Sequence, residues 1–434
     1  MITFSMNPKP ALNLLGPSKV EIVTENSKHK LLVDGQPFEV KGAGLNWDEK
    51  DKLSALKESG GNTFRTWTHQ GAEAALPDVN KLGLMFVMGI ELGKELHGFD
   101  YDDANAVKEQ FEEVKAIVNQ YKDNPNLLAW AVANEPNLLF DEKGALKAVN
   151  PKVYDAISEI IDYIHEHDPN HPVTYTFAGV LKEHLDVALA RTPQVDFVSL
   201  QVYGDLLNIP KLVKEAEITK PFMVTEFGPL GHWERPATEW GREIEEPSGI
   251  KASSLGERMI KGLRGDLLGL NIGHFVFLWG QKQERTPTWY GMFTKNGYAD
   301  ARVDEMTLFW TGEYPSNRAP NVEALTLNDA EAETSLKLTP QQPVTAKVFG
   351  KNLDQPKLEY RWELMKEVSE LSQGGAHEEE PETLSIDFIS DSSASGSINF
   401  SAPSMPGEYR LFVYVYDRDG KVGYANFPFI CEQN

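Results

Sequence analysis

The sequence predicts an α/β protein: a (β/α)8 TIM barrel followed by a C-terminal all-β immunoglobulin-like sandwich. Three observations carry that expectation. Between residues 30 and 310 strand-like runs alternate with amphipathic helical stretches eight times. The runs are apolar nearly throughout, as a parallel sheet covered on its outer face requires. Past residue 314 helical periodicity gives way to short alternating runs separated by turn residues.

The first domain, residues 1–314, opens with an N-terminal β-ribbon, 20–25 and 30–35, in which Asp34 and Gly35 form a turn signal. Eight strand and helix pairs follow: 38–47 with 51–60, 62–67 with 72–83, 84–92 with 104–121, 127–136 with 154–167, 172–179 with 183–190, 195–204 with 209–216, 221–228 with 253–268, and 272–280 with the segment around Met306. A count of eight fits a closed barrel better than an open sheet. The first strand-to-helix turn carries GAGLNW rather than GxGxxG, so a dinucleotide fold has no support. Residues 315–434 form the second domain, in which Asp419-Gly420 marks a hairpin and the acidic stretch 369–382 reads as a solvated loop. Leu308, Phe309 and Trp310, beside the boundary, predict that the sandwich packs on the barrel.

In 434 residues, 42 bases against 65 acids give a net charge of −23. Nucleic acid is a poor partner for such a chain, because no basic cluster is present to displace counterions. Cys431 is the single cysteine, which excludes an intrachain disulfide and a cysteine-rich metal site. His69, His97, His171, His232 and His274 show no paired metal spacing, and Asp417 and Asp419 are explained by their turn; no metal and no cofactor is implied. No apolar run is long enough to span a bilayer. Met1 to Leu15 lacks the layout of a signal peptide, so the expected location is the cytoplasm if Met1 is the native start, and the periplasm, cell surface or exterior if a leader was removed. The oligomeric state is left open.

In a (β/α)8 enzyme the functional groups sit at the C-terminal ends of the strands. Strand four ends in Asn134-Glu135-Pro136 and strand seven in Thr225-Glu226-Phe227-Gly228, each placing one carboxylate after an apolar run where burial is costly without purpose. Either alone could be a structural acid; two on these strand ends are the equipment of glycoside hydrolysis. Arg65 closes strand two and could hold a carboxylate ionised. Tyr203 closes strand six, and Trp279 closes strand eight with an indole face suited to a sugar ring.

This set resembles the clan A glycoside hydrolases, retaining glycosidases on a (β/α)8 barrel. The resemblance spans the first domain and implies Glu135 as acid/base and Glu226 as nucleophile, with Arg65, Asn134, Tyr203 and Trp279 binding substrate. Many clan members have His two residues before the strand-six Tyr; Gln201 stands there, leaving that hydrogen-bond partner open. Asn46 and Trp47 at the end of strand one, Gln281 and Trp289 after strand eight, and Trp233 in the insertion after strand seven complete the expected substrate-binding set, the loop aromatics walling a cleft.

The segments around 33–47 and 277–291 resemble family 2-type catalytic barrels, although the jelly-roll domain that normally precedes such a barrel is not among these residues. A barrel followed directly by one immunoglobulin-like domain is similar to glycoside hydrolase family 158, which implies endo-β-1,3-glucanase activity on a neutral polysaccharide or oligosaccharide by double displacement. The alternatives are a transglycosylase, a β-mannanase or β-galactanase on the same scaffold, and, from another class, a non-catalytic carbohydrate-binding protein. Retention requires carboxyl groups roughly 5–5.5 Å apart.

Overall fold

Apolar β-branched and aromatic runs give parallel strands here because helices bury their outer face. The computed structural model describes residues 16–264, 269–351, 353, 358–389 and 395–433. The expectations for Met1 to Leu15 and for the last four residues of 253–268 lie outside them.

Eight parallel strands run in chain order around a barrel: Gly42–Gly44, Thr63–Arg65, Met85–Ile90, Leu127–Val132, a fifth strand in two segments (Val173–Thr174 and Thr176–Ala178), Val198–Gln201, Phe222–Phe227 and Asn271–Val276. The fifth strand closes the ring by changing partners at Tyr175. Its first segment pairs with strand four through Trp130 and Val173, and its second with strand six through Thr176 and Ser199. Strand eight returns to strand one through Phe275 and Gly42. The eight covering helices are Leu53–Glu58, Ala72–Leu82, Ala104–Tyr121, Lys152–His167, Lys182–Arg191, Ile209–Glu215, Ser248–Leu263 and Ala301–Thr311. Asp103 and Asp300 cap the third and eighth by accepting from free backbone N–H groups of the first turn.

The ribbon pairs Val20–Glu25 with Lys28–Val33 and then with Gln36–Pro37, turning at Asn26-Ser27 and Asp34-Gly35, where φ is positive at all four residues. Its Val20, Leu31 and Val33 pack on Met85, Leu128, Met223 and Ile272, which lie at or near the starts of their strands. The ribbon therefore plugs the N-terminal end of the barrel and leaves the other end for chemistry.

From Asn321–Leu327 onward the chain forms two facing sheets, one of four strands and one of five, whose long hairpin Gly407–Tyr416 and Val422–Cys431 turns at the expected Asp419-Gly420. Asp417 Oδ1 accepts from the Asp419 and Lys421 amides in that turn. Cys431 is a buried free thiol. Among the described residues no helix is long and apolar enough to cross a membrane.

The sandwich packs on the barrel, but not through the residues expected. Trp310 packs on Trp279, and Phe309 lies against His274 and Arg264, because the space between the eighth helix and strand eight must be filled. The contact runs instead through buried polar groups. Tyr424 of the sandwich meets Asp300 Oδ2 at 2.7 Å and Arg302 Nη2 at 2.9 Å, Lys421 Nζ reaches Asp304 Oδ1 at 2.5 Å, and Asn426 reaches Glu245 Oε2 at 2.5 Å. Glu245 is also paired with the buried Lys251.

Candidate active site

The chain must turn sharply where strand four ends, and Ala133 and Glu135 both take positive φ, 63° and 53°. Such backbone in non-glycine residues costs of order 1–3 kcal/mol each and persists only where neighbours fix it. Here Thr176 Oγ1 accepts from the Glu135 amide at 2.9 Å and donates to Asn134 Oδ1 at 3.1 Å, so strand five holds the turn that aims Glu135 into the barrel mouth.

Glu226 lies within strand seven and is 5% exposed. Its Oε1 accepts from Trp67 Nε1 at 2.9 Å and stands 3.8 Å from Arg65 Nη1. Arg65, 1% exposed, also donates to Asn134 Oδ1 at 3.0 Å and to the Thr225 carbonyl at 3.2 Å, so one guanidinium ties strand two to strands four and seven. The Gln201 amide fits with its oxygen accepting from Arg65 Nη1 at 2.7 Å and its NH2 donating to Glu135 Oε1 at 2.5 Å. Gln201 thus connects the acid on strand four to the arginine beside Glu226.

Burial raises both carboxyls. Glu135 is pushed up to about 7 by burial and then by the Glu226 charge, with Lys94 and Arg65 opposing. Glu226 is raised by burial but is opposed first by Arg65 and then by the Trp67 hydrogen bond. The two titrate as a pair, and the first proton to leave comes from Glu226, whose anion then keeps Glu135 protonated. The Tyr203 phenol is driven well above its ordinary range by burial and by the charge of Glu226.

Aromatic rings form one side of the mouth. Phe277 meets Trp67, Tyr203 and Tyr290 edge to face with centroids 5.5, 6.2 and 5.6 Å away, and Trp233, 61% exposed, meets Tyr203 at 5.4 Å. Trp233 is thus an open indole face beside the site.

Three expected sugar-binding tryptophans are elsewhere. Strand eight ends at Val276, and Trp279 is fully buried against Phe293 and Trp310 with its Nε1 donating to the Lys52 carbonyl. Trp47 is core, packed on Phe64 and Phe86. Trp289 is 1% exposed and donates to the Leu230 carbonyl, joining the loops after strands seven and eight. In each case the ring fills buried space, where burying a large aromatic contributes more than exposing it. Asn46 sits just before the short helix that follows strand one, and Gln281 is fixed on the same side through its amide to Glu49 Oε1 at 2.9 Å.

Sequence reasoning assigned no role to Trp67, although it stands two residues past Arg65 on the strand end. Thr176 and Glu284 were also missed. Glu284 is buried, pairs with Lys282 at 2.7 Å, and its charge acts on both Glu135 and Tyr203. Nothing in its local sequence distinguishes it from other loop acids.

Residues 40–231 match the family model described as "Glycosyl hydrolases family 2, TIM barrel domain". Over that stretch the barrel is similar to those of the clan A glycoside hydrolases, and the match is to family 2 rather than to family 158. A probable mannan endo-1,4-beta-mannosidase C from Aspergillus terreus is 37% identical over 103 residues, 22% of this chain and 25% of that protein. The beta-glucuronidase of Sus scrofa is 22% identical over 194 residues, 41% of this chain and 26% of that one. Among solved structures, a putative beta-galactosidase from Bacteroides fragilis superposes with a TM-score of 0.51 at 14% identity over 96% of this chain and 58% of its own. An uncultured Clostridium sp. beta-glucuronidase gives 0.53 at 17% identity over 68% and 54%. The chain spans only about a quarter of the length of these two curated relatives, and the structural likenesses concern the fold.

Proposed function

We propose that this protein is a retaining β-glycosidase. The observation that carries the reading is the unequal pair of carboxyls on strands four and seven, one held near neutrality and one next to a buried arginine and an indole donor. Glu226, ionised, attacks the anomeric carbon while Glu135 gives its proton to the leaving oxygen; Glu135 then takes a proton from water as that water displaces the enzyme carboxylate. Asn134, oriented by Arg65 and Thr176, is placed to hydrogen-bond the sugar beside the reacting carbon.

A neutral hexopyranoside suits the site better than an anionic one, since Glu284 adds a third carboxylate near the pair and Lys282 is already engaged by it. The finer reading, endo action on β-1,3-glucan, rests on domain order alone, whereas the matched relatives are described as a mannosidase, glucuronidases and a galactosidase. A panel of aryl β-mannosides, β-galactosides, β-glucosides and β-glucuronides, with laminarin and mannan, distinguishes these. Trapping with the matching 2-deoxy-2-fluoro glycoside should label Glu226. A label on Glu135, or turnover that releases the inverted anomer, would overturn the mechanism.

A further inference from the structure

The acidic stretch expected to be a solvated face is in part the reverse. Glu378, in the sandwich loop 369–382, has a side chain with 0% exposure. Its carboxylate accepts from the Arg285 amide at 2.6 Å, Arg285 Nη1 at 3.1 Å, Gln283 Nε2 at 3.1 Å and the Ser372 amide at 3.1 Å. Arg285 and Gln283 belong to the barrel loop after strand eight. A carboxylate so enclosed is retained only because every approach is hydrogen-bonded.

The same loop continues across the barrel mouth. Gly375 supplies a carbonyl to Lys282 Nζ at 3.0 Å, and Lys282 is the partner of Glu284, whose charge is felt by Glu135. One residue earlier, Gly374 sits so close to the loops after strands three and four that an added Cβ would come within 2.9 Å of Leu138 and 3.0 Å of Leu96. Gly374 and Gly375 both take positive φ, 60° and 77°, which lets the tip lie flat in that crossing. The loop thus reaches from the strand-eight loop to the loops after strands three and four, between which strands one and two lie in the ring, while exposed Trp233 stands on the side of strands six and seven.

We propose that residues 372–378 of the C-terminal sandwich form a wall of the substrate cleft and close one end of it, so that the enzyme removes single sugars from chain ends instead of cutting internally. The inference rests on the glycosidase reading above. The sandwich then completes the binding site, with Glu378 as the tether that holds the wall in place.

The test uses the full chain on linear oligosaccharides of the sugar it hydrolyses and on the matching aryl monosaccharide glycoside. The wild-type protein should release monosaccharide from the first minutes; a ladder of internal products overturns the inference while leaving the glycosidase reading intact. Glu378→Ala should raise KM on the aryl glycoside by about tenfold at nearly unchanged kcat, the pattern of lost uniform binding, and should let longer products appear. Limited proteolysis reports whether the loop has been released. A freed loop with unchanged KM and product pattern overturns the wall. If that variant does not fold, the wild-type product pattern decides alone. Absence of turnover on every aryl glycoside and every oligosaccharide would defeat the activity and this inference together.

Discussion

The acid/base assignment makes a quantitative claim about pH. Glu135 must carry its proton when the leaving oxygen departs, and its carboxyl is held at about 7. Because a raised carboxyl is protonated below its pKa, kcat/KM should fall as pH rises through 7, with a separate acid limb where the raised Glu226 carboxyl takes up its proton. For a single group at 7 the protonated fraction is about 0.9 at pH 6, about 0.5 at pH 7 and about 0.1 at pH 8, so the rate at pH 8 is roughly a tenth of the plateau. The assay is kcat/KM for a phenyl β-glycoside across pH 5–9. A 2,4-dinitrophenyl glycoside is the control, since its leaving group departs without a proton and kcat/KM ends at the first irreversible step. The alkaline limb should therefore appear with phenyl and vanish with dinitrophenyl. A phenyl profile flat to pH 9, or the same limb with both substrates, would refute Glu135 as the acid.

Three further outcomes follow from the geometry. Glu226→Ala should lose nearly all activity and recover part of it with azide, giving the glycosyl azide of opposite anomeric configuration; an inverted azide product from Glu135→Ala would exchange the two roles. Trp233→Ala should leave aryl glycoside hydrolysis largely intact and raise KM for oligosaccharides, because an exposed face beside the site contributes binding only to longer substrates, whereas Trp289→Ala, which empties a buried site, should lower Tm and impair both; equal effects of the two variants would contradict the placement of Trp233. Tyr424→Phe removes a hydroxyl shared by Asp300 and Arg302 across the domain contact, at a cost of about 2 kcal/mol and a fall in Tm of about 2 °C for a chain this long; an unchanged Tm by calorimetry would mean the network does not stabilise the contact.

What was legible in the sequence was what repeats or what is chemically costly. Eight apolar runs specify a covered parallel sheet whichever residues fill it, and a glutamate closing such a run stands out because burial penalises it. Asp34-Gly35 and Asp419-Gly420 were readable because few residue pairs accept the backbone their turns require. The tryptophans were not readable in the same way. Trp279, Trp289 and Trp233 all follow strand ends, and aromatic rings serve equally as core filler and as sugar platform. Which they become is decided by whether another element covers the ring, as Trp310 covers Trp279, whereas Trp233 is left mostly exposed.

The same reasoning explains the misreading of 369–382. Charge density in a single sequence predicts solvation unless a complementary group arrives from elsewhere, and Arg285 lies 93 residues before Glu378. The pairing exists only because the sandwich is fixed on the barrel by the buried contacts of Glu245, Asp300, Asp304 and Tyr424. Those contacts and the tether act in series: the first set orients the domain, and Glu378 uses that orientation to bring a loop over the mouth. A chain ending at residue 317 would therefore lose more than a spacer. It would leave Glu245 and the Asp300 and Arg302 pair without their sandwich partners, and the mouth without its bridge between strand eight and strands three and four. Position of the wall, and with it the length of sugar chain admitted, is accordingly set by the packing of the second domain and not by the barrel strands that carry the acids.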